Sequence, residues 1–213
     1  MTDMKNPPHT GILWIISAPS GAGKTSLSKA LLTQTAGLRQ SVSYTTRSPR
    51  PGEINGQDYH FVDSAVFADM VGETAFLEHA EVFGNRYGTG KAWVSQQLES
   101  GMDVLLEIDW QGAQQVRAQM PEKTVTIFIL PPSLHTLETR LRNRGQDTDS
   151  VIAQRCQAAQ GEMRHFEEFD YLVINDDFSE TLEQLKCIIC AERARLTRLD
   201  ERMKRDIRAP LGL

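Results

Sequence analysis

SAPSGAGKTSL, residues 17–27, follows the apolar run GILWIIS (11–17) and opens into a pattern of helical spacing that continues to residue 34. Strand, glycine-rich turn and helix in that order are the setting in which G-x-x-x-x-G-K-[ST] works as a phosphate-binding loop. Ala18-Pro19-Ser20-Gly21-Ala22-Gly23-Lys24-Thr25 fits the pattern, with Ala18 where the first glycine usually stands. The glycines let the chain turn tightly, so that successive N–H groups point inward at anionic oxygens. The helix beginning near Lys24 adds its positive end. Lys24 reaches the outer phosphates, and the Thr25 hydroxyl is placed to ligate Mg²⁺. The loop therefore predicts a nucleoside triphosphate, either hydrolysed or used to phosphorylate an acceptor.

Three further stretches, DVLLEID (103–109), TVTIFILP (124–131) and YLVIN (171–175), are apolar and mostly rich in β-branched residues, as strands covered on both faces are. Helical spacing occupies roughly 24–34, 91–100, 111–118, 133–143, 149–165 and 179–204. Strands alternating with helices predict an α/β fold with a parallel sheet flanked by helices. The interval from about 40 to 90 differs. Short alternating runs (YHFV, LEHAEVF) and turn signals (RPGE, NGQD, FGN) predict a small β-rich insertion. RLRNRGQDTDS (140–150) is charged and broken by glycine, the composition of a mobile lid.

The formal net charge of −5 argues against a protein that coats nucleic acid, which needs a basic face. No apolar run approaches a membrane span, and MTDMKNPPHT (1–10) lacks a signal-peptide core and is expected to be a flexible tail. A cytoplasmic protein without a membrane partner is the expectation. Cys156, Cys187 and Cys190 suit reduced thiols. Cys187 and Cys190 form a C-x-x-C, but with no second ligand pair nearby they are expected to sit in the buried stripe of a helix over TLEQLKCIICAERARL rather than to bind metal. The final segment, CAERARLTRLDERMKRDI (190–207), is expected as a long charged helix. It is either solvated or packed on a second copy in a homo-oligomer.

The acceptor question turns on the insertion. Arg47 and Arg50 are three apart, with Pro49 and Pro51 interleaved. Proline favours extended backbone before it, and at three residues per turn both guanidiniums face one side, suited to a phosphate dianion. Tyr59 and Tyr87 offer hydroxyls nearby. A solvated basic loop with core tyrosines satisfies the same spacing. Glu78, in FLEHAE, and Asp109, ending LLEID, both lie near turns. A carboxylate matches the two adjacent N–H donors of guanine and mismatches adenine, although ordinary ion-pair carboxylates are commoner.

These segments together carry a resemblance. SAPSGAGKTSL, VSYTTRSPRPGEINGQDYHFV (42–62), FLEHAEVFGNRYGT (76–89), EIDWQGAQQVR (107–117) and VINDD (173–177) resemble, in order and spacing, the guanylate kinase family. The resemblance runs from about residue 11 to 200. It implies a P-loop nucleoside monophosphate kinase fold with a β-rich nucleotide-binding insertion and a mobile lid. It also implies transfer of the terminal phosphate of ATP to GMP, with Mg²⁺ accompanying ATP. By residue, it implies that Ser43, Arg47, Arg50, Tyr59 and Tyr87 bind the GMP phosphate, and that Glu78, Thr89 and Asp109 read guanine. The ATP-binding stretch runs from Ala18 through Ser26, with Asn175 near the adenine. Lys24, Arg47 and the lid arginines Arg140, Arg144 and Arg155 are the implied catalytic cations. The family often has serine at Thr89, which keeps the hydroxyl. It commonly has aspartate at Glu107, which shares a strand face with Asp109 and would support Mg²⁺ through water. The implied segments are a core of 11–40, 95–134 and 166–213, a GMP-binding region of 41–94 and a lid of 135–165. Two rivals use the same scaffold. A ribose 1,5-bisphosphate phosphokinase needs no base reader, and a non-catalytic guanylate-kinase-like module lacks the ATP loop that Gly23, Lys24 and Thr25 keep intact here.

Overall fold

The computed structural model describes residues 10–82, 84–143, 148–199 and 201–212. Two sheets organise the chain. The first holds β1 (Leu13–Ser17), β2 (Leu38–Gln40), β7 (Asp103–Glu107), β8 (Thr124–Leu130) and β9 (Tyr171–Ile174) in the order β2-β7-β1-β8-β9, every pairing parallel. Central β1 explains its unbroken apolar sequence. Ile12, Trp14 and Ile16 enter one core with Leu27 and Leu31 of α1 (Lys24–Gln34) and Leu185 and Ile189 of α7 (Phe178–Arg193). Leu13 and Ile15 enter the other core, with Val94 and Leu98 of α3 (Lys91–Glu99) and Val116 of α4 (Trp110–Gln119). Alternation along one strand thus feeds two helix layers.

The second sheet is the expected insertion: β3 (Tyr44–Thr45), β4 (His60–Phe61), β5 (Phe76–Val82) and β6 (Asn85–Gly90), ordered β4-β3-β6-β5. It also contains α2 (Ser64–Gly72), which the sequence reading left out, although Asp63 caps it by accepting a hydrogen bond from Val66 N at 2.8 Å. α5 (Leu134–Asn143) and α6 (Asp149–Met163) pack through Leu137, Leu141, Ile152 and Ala159. Two 3-10 turns follow them in the chain, Arg164–Glu168 and Leu196–Arg198. The described chain closes with α8 (Glu201–Arg208) and the turn Ala209–Leu211.

Three expectations need correction. β2 is a fifth core strand, with only Leu38 of its three residues buried, so it carries little apolar signal. The helix expected over 179–204 is interrupted. α7 ends at Arg193, because Arg198 turns inward, donating to Glu122 O at 2.7 Å and to Glu192 Oε2 at 3.3 Å, while Thr10 N donates to Arg198 O. The resulting pieces are shorter than one long charged helix. Cys187 and Cys190 are exposed; Leu185 and Ile189 occupy the buried stripe instead. All three thiols are free, and no cluster of metal-ligating side chains occurs among the described residues.

The first residue of β7 carries a buried charge. Asp103, fully buried, accepts from Ile12 N (2.8 Å), Trp14 Nε1 (3.0 Å) and Arg193 Nε (2.8 Å). Removing one partner of a buried pair leaves the other charge uncompensated, so Asp103→Ala is expected to cost about 3–5 kcal/mol. Urea unfolding followed by tryptophan fluorescence checks this. Turnover below the new midpoint is expected to stay intact, because Asp103 lies at the opposite end of β7 from Glu107.

Candidate active site

The carboxyl ends of β1, β7 and β9 meet at one edge of the parallel sheet, where open α/β sheets bind ligands. There the loop after β1 turns through Gly21 (φ 95°) and Gly23 (φ 98°), a conformation that disfavours a side chain. Thr74 is the only non-glycine with positive φ among the described residues, so the loop asks no left-handed conformation of Ala18. Ala22 N donates to Pro19 O at 3.1 Å, closing the turn. Gly23 caps α1 without any side-chain hydrogen bond, and the first turn carries no acidic residue. The helix N-terminus therefore keeps its donors and its positive potential for an anion.

Asn175, expected beside adenine, is buried, and its Nδ2 donates to Ala22 O at 2.6 Å. Its amide thus buttresses the loop from the end of β9. Gly21 packs under Leu137 and Leu141 of α5, so the loop and the following helical arm touch directly. A cleft of about 410 Å³ opens here, lined by Gly21, Gly23, Ser26, Arg140, Asn175 and Phe178. Arg140 Nη2 donates to Asn175 O at 2.9 Å. Arg155 lies half-buried on α6. Arg144 falls outside the described residues.

Lys24 lies at the foot of the loop, with Nζ 3.4 Å from Ile108 O. Burial lowers its pKa below the usual lysine value, while Glu107, Asp109 and Glu162 raise it back. Glu162, on α6, is one residue the sequence reading missed. Its carboxylate lies near Lys24 and the loop at Ser20, and burial raises its pKa. A side chain from the helical arm thus supplies a negative charge at the loop built for phosphate. No motif marks it; only the approach of α6 to the loop reveals it. Thr25 is exposed at the start of α1, and Glu107 accepts from Gln40 Nε2 at 3.1 Å.

In the second sheet Arg47, Tyr59 and Tyr87 lie together. The Arg47 guanidinium donates to Ser48 O and Glu53 Oε1, each at 2.8 Å, and lies 5.4 Å from the Tyr59 ring centroid. It also lies near the Tyr87 side chain, and the two tyrosine rings meet edge to face at 6.0 Å. Burial raises the Tyr59 pKa, keeping the phenol a donor. Arg50 is exposed, its backbone N 2.7 Å from Glu53 Oε2. Glu53 therefore holds both halves of the arginine segment, and Arg47 holds its carboxyl below the usual range. The RPGE turn was legible, but this carboxylate's grip on the arginine two residues before the first proline was not. Ser43 flanks the same sheet, its carbonyl accepting from His60 N at 2.9 Å.

Glu78, on β5, is buried and accepts from Thr89 Oγ1 at 2.6 Å. Burial raises its pKa to about 6, partly offset by the Thr89 bonds; neighbouring Asp109 raises it further. Asp109 caps α4, with Oδ1 accepting from Gly112 N at 2.8 Å, which leaves its second oxygen for a ligand. The structure thus brings the two expected carboxylates and the threonine hydroxyl together. A ligand with adjacent N–H donors would relieve both the desolvation and the like-charge repulsion.

Comparison with known proteins follows the same lines. Residues 11–192 match the family model described as guanylate kinase. A guanylate kinase of Nitrosococcus oceani is 56% identical over 195 residues, covering 92% of this chain and 96% of that protein. A guanylate kinase of Escherichia coli K12 is 56% identical over 194 residues, covering 90% and 93% respectively. The crystal structure of guanylate kinase from Anaplasma phagocytophilum superposes with a TM-score of 0.77 at 33% identity, covering 96% of this chain and 97% of that one.

Proposed function

The chain belongs to the guanylate kinase family, and from that premise we propose how its residues divide the transfer of a phosphoryl group from ATP to GMP. A GMP phosphate oxygen forms the new bond to the γ-phosphorus, the bond to the β,γ-bridging oxygen breaks, and ADP leaves with that oxygen. The attacking phosphate is already anionic near neutral pH, so no strong base is required. Positioning and charge neutralisation carry the catalysis.

In this reading the loop from Ala18 to Ser26 holds the ATP phosphates, and the cleft beside Arg140 and Asn175 takes the rest of the nucleotide. Ser43, Arg47, Arg50, Tyr59 and Tyr87 hold the GMP phosphate; Glu78, Thr89 and Asp109 read guanine. Arg140, Arg144 and Arg155 supply cations from a lid spanning 135–165 that shuts out water. Residues 41–94 form the GMP-binding region, and 11–40, 95–134 and 166–213 the core. Thr25 offers a hydroxyl oxygen and Glu107 a carboxylate that would act through water, a set that suits Mg²⁺, which takes few protein ligands and completes its shell with phosphate and water. When bound, the ion neutralises charge on the transferring phosphates.

The observation that carries the reading is the buried Glu78–Thr89 pair facing Asp109 beside a phosphate loop. The test is ADP release from Mg·ATP with GMP, AMP, CMP, UMP and ribose 1,5-bisphosphate offered separately. Turnover with GMP alone is expected. Turnover with the sugar bisphosphate overturns the base-reading assignment, and turnover with none overturns catalysis.

Glu78 also predicts a pH dependence. Below about 6 its carboxyl is protonated and presents one acceptor fewer to guanine. The GMP KM is therefore expected to rise as pH falls through 6, while the ATP KM is not. The GMP phosphate titrates in the same range. Glu78→Gln is the control, since its profile keeps only the phosphate's share. A wild-type profile identical to the variant's would sink the assignment.

A further inference from the structure

We propose that Gln115 and Gln119 are positioning residues for guanine selection, bolting β5 to α4 so that Glu78 and Asp109 keep a fixed separation. This rests on the base-reading assignment above. β5 is the outer strand of the second sheet, in the order β4-β3-β6-β5. Glu78 pairs with Thr89, and Ala80 with Tyr87, across β6. Main-chain groups alternate in direction along a strand, so those of His79 point away from β6, and the register shift between Phe76 and Glu78 leaves Leu77 with no residue opposite it on β6. An exposed edge of this kind invites slippage.

Two side chains of α4 close it. Gln115 Oε1 accepts from His79 N at 3.2 Å, and Gln115 Nε2 donates to His79 O at 3.3 Å. One side-chain amide thereby takes both main-chain groups of one residue, as a neighbouring strand would. Gln119 Nε2 donates to Leu77 O at 2.7 Å and to Phe76 O at 3.4 Å, while its Oε1 accepts from Lys91 Nζ at 3.3 Å. The spacing suits the two elements. Two strand residues advance about 6.6 Å and four helical residues about 6 Å, so the amides fall in step with alternate peptides.

Glu78 is the residue between the two anchored positions, and the same helix receives it. A Cβ at Gly112 would lie 3.2 Å from Glu78 Oε2, a tight contact, so the glycine leaves the carboxylate its place without displacement. Gly112, Gln115 and Gln119 lie within an arc of about 60° on α4 at 100° per residue. Asp109 caps that helix. One helix thus carries Asp109 itself, the gap that accepts Glu78, and the two amides that hold the peptides on either side of Glu78. The amides touch no reacting atom; they act through the spacing of the two carboxylates.

IMP, which lacks the exocyclic amine of guanine, reads that spacing. Gln115→Ala is expected to raise the GMP KM about tenfold and to narrow the GMP-over-IMP preference in kcat/KM by a similar factor. kcat with saturating GMP and the ATP KM should stay within about threefold. Gln119→Ala should act in the same direction, and Gln115→Asn should fall short of restoring wild type, since the shorter amide no longer reaches both groups of His79. An unchanged GMP KM and GMP:IMP ratio in both alanine variants overturns the proposal. So does a parallel rise in the GMP and ATP KM values with a lowered melting temperature, which would mark a purely structural role. The Glu78→Gln background separates this failure from failure of base reading itself. If Glu78→Gln leaves the GMP:IMP ratio untouched, base reading is wrong and the present proposal falls with it. If Glu78→Gln relaxes the ratio and Gln115→Ala does not, the bolt alone is wrong. The supporting result is that both relax it singly and the double variant adds nothing further, the non-additivity of groups acting as a unit.

Discussion

Replacing Lys24 by alanine is expected to lower turnover about 10³-fold, at the upper end of what loss of one charge-stabilising donor costs. The size follows from the surroundings as much as from the lysine. Glu107, Asp109 and Glu162 all act on its ammonium electrostatically. In the alanine variant these carboxylates face incoming phosphates with no cation between them. The loss therefore combines a missing attraction with an unmasked repulsion, and it grows as charge develops on the transferring group. ATP affinity should fall by a smaller factor, because the backbone donors of the loop and the open N-terminus of α1 remain. Steady-state rates with saturating Mg·ATP and GMP, together with ATP binding by calorimetry, measure the two parts. A kcat within a few-fold of wild type would remove Lys24 from the chemistry.

The loop was legible because its chemistry is local. Turn, glycines, lysine and helix are consecutive, and α1 runs from Lys24 to Gln34 as the spacing predicts. β1, β7, β8 and β9 were legible because burial on both faces writes an unbroken apolar run. β2 was not, since an edge strand of three residues with one buried side chain reads like a loop. The C-terminal helix was overextended for a related reason: nothing in RARLTR signals that Arg198 will turn inward to Glu122 and Glu192. The thiols of Cys187 and Cys190 were placed inside because apolar spacing fixes the period of a helix more firmly than its phase; Ile189 took the buried place. At the site, Lys24 was marked by its loop, whereas Arg47, Glu78 and Asp109 were marked by the family resemblance, their spacing alone leaving plainer readings open. Glu53, Glu162, Gln115 and Gln119 were marked by neither, because each acts on a main-chain group or charge that only the tertiary fold brings to it.

Glu78→Gln is expected to lower kcat/KM for GMP about 10²-fold or more, the scale for truncating one partner of a desolvated charged hydrogen bond. The amide offers one acceptor and one donor where guanine presents two donors, so it sets a donor against a donor. AMP, which meets the carboxylate with an acceptor, gains or holds its small rate. The GMP-to-AMP preference therefore contracts from both ends. The same substitution is expected to stabilise the free protein. Folding raises the Glu78 pKa from the model-compound value of 4.5 to about 6, chiefly through burial. Between those values the folded state binds more protons than the unfolded, so stability falls as pH rises through that window. Above it, ionised Glu78 costs roughly 1–2 kcal/mol. Glutamine carries no charge to desolvate, and Thr89 Oγ1 can still donate to its carbonyl oxygen at the position it holds now. The variant should melt about 3–6 °C above wild type at pH 7.5, a gap that closes as pH falls toward 4. Wild type in saturating GMP should recover the difference, because the nucleotide returns donors to the carboxylate, whereas the variant should gain little from GMP. Melting curves at the two pH values, with and without GMP, decide it. Equal melting temperatures at pH 7.5 would show that the carboxylate is not strained in the free protein, and an equal GMP-induced shift in both proteins would place the guanine contact on other residues.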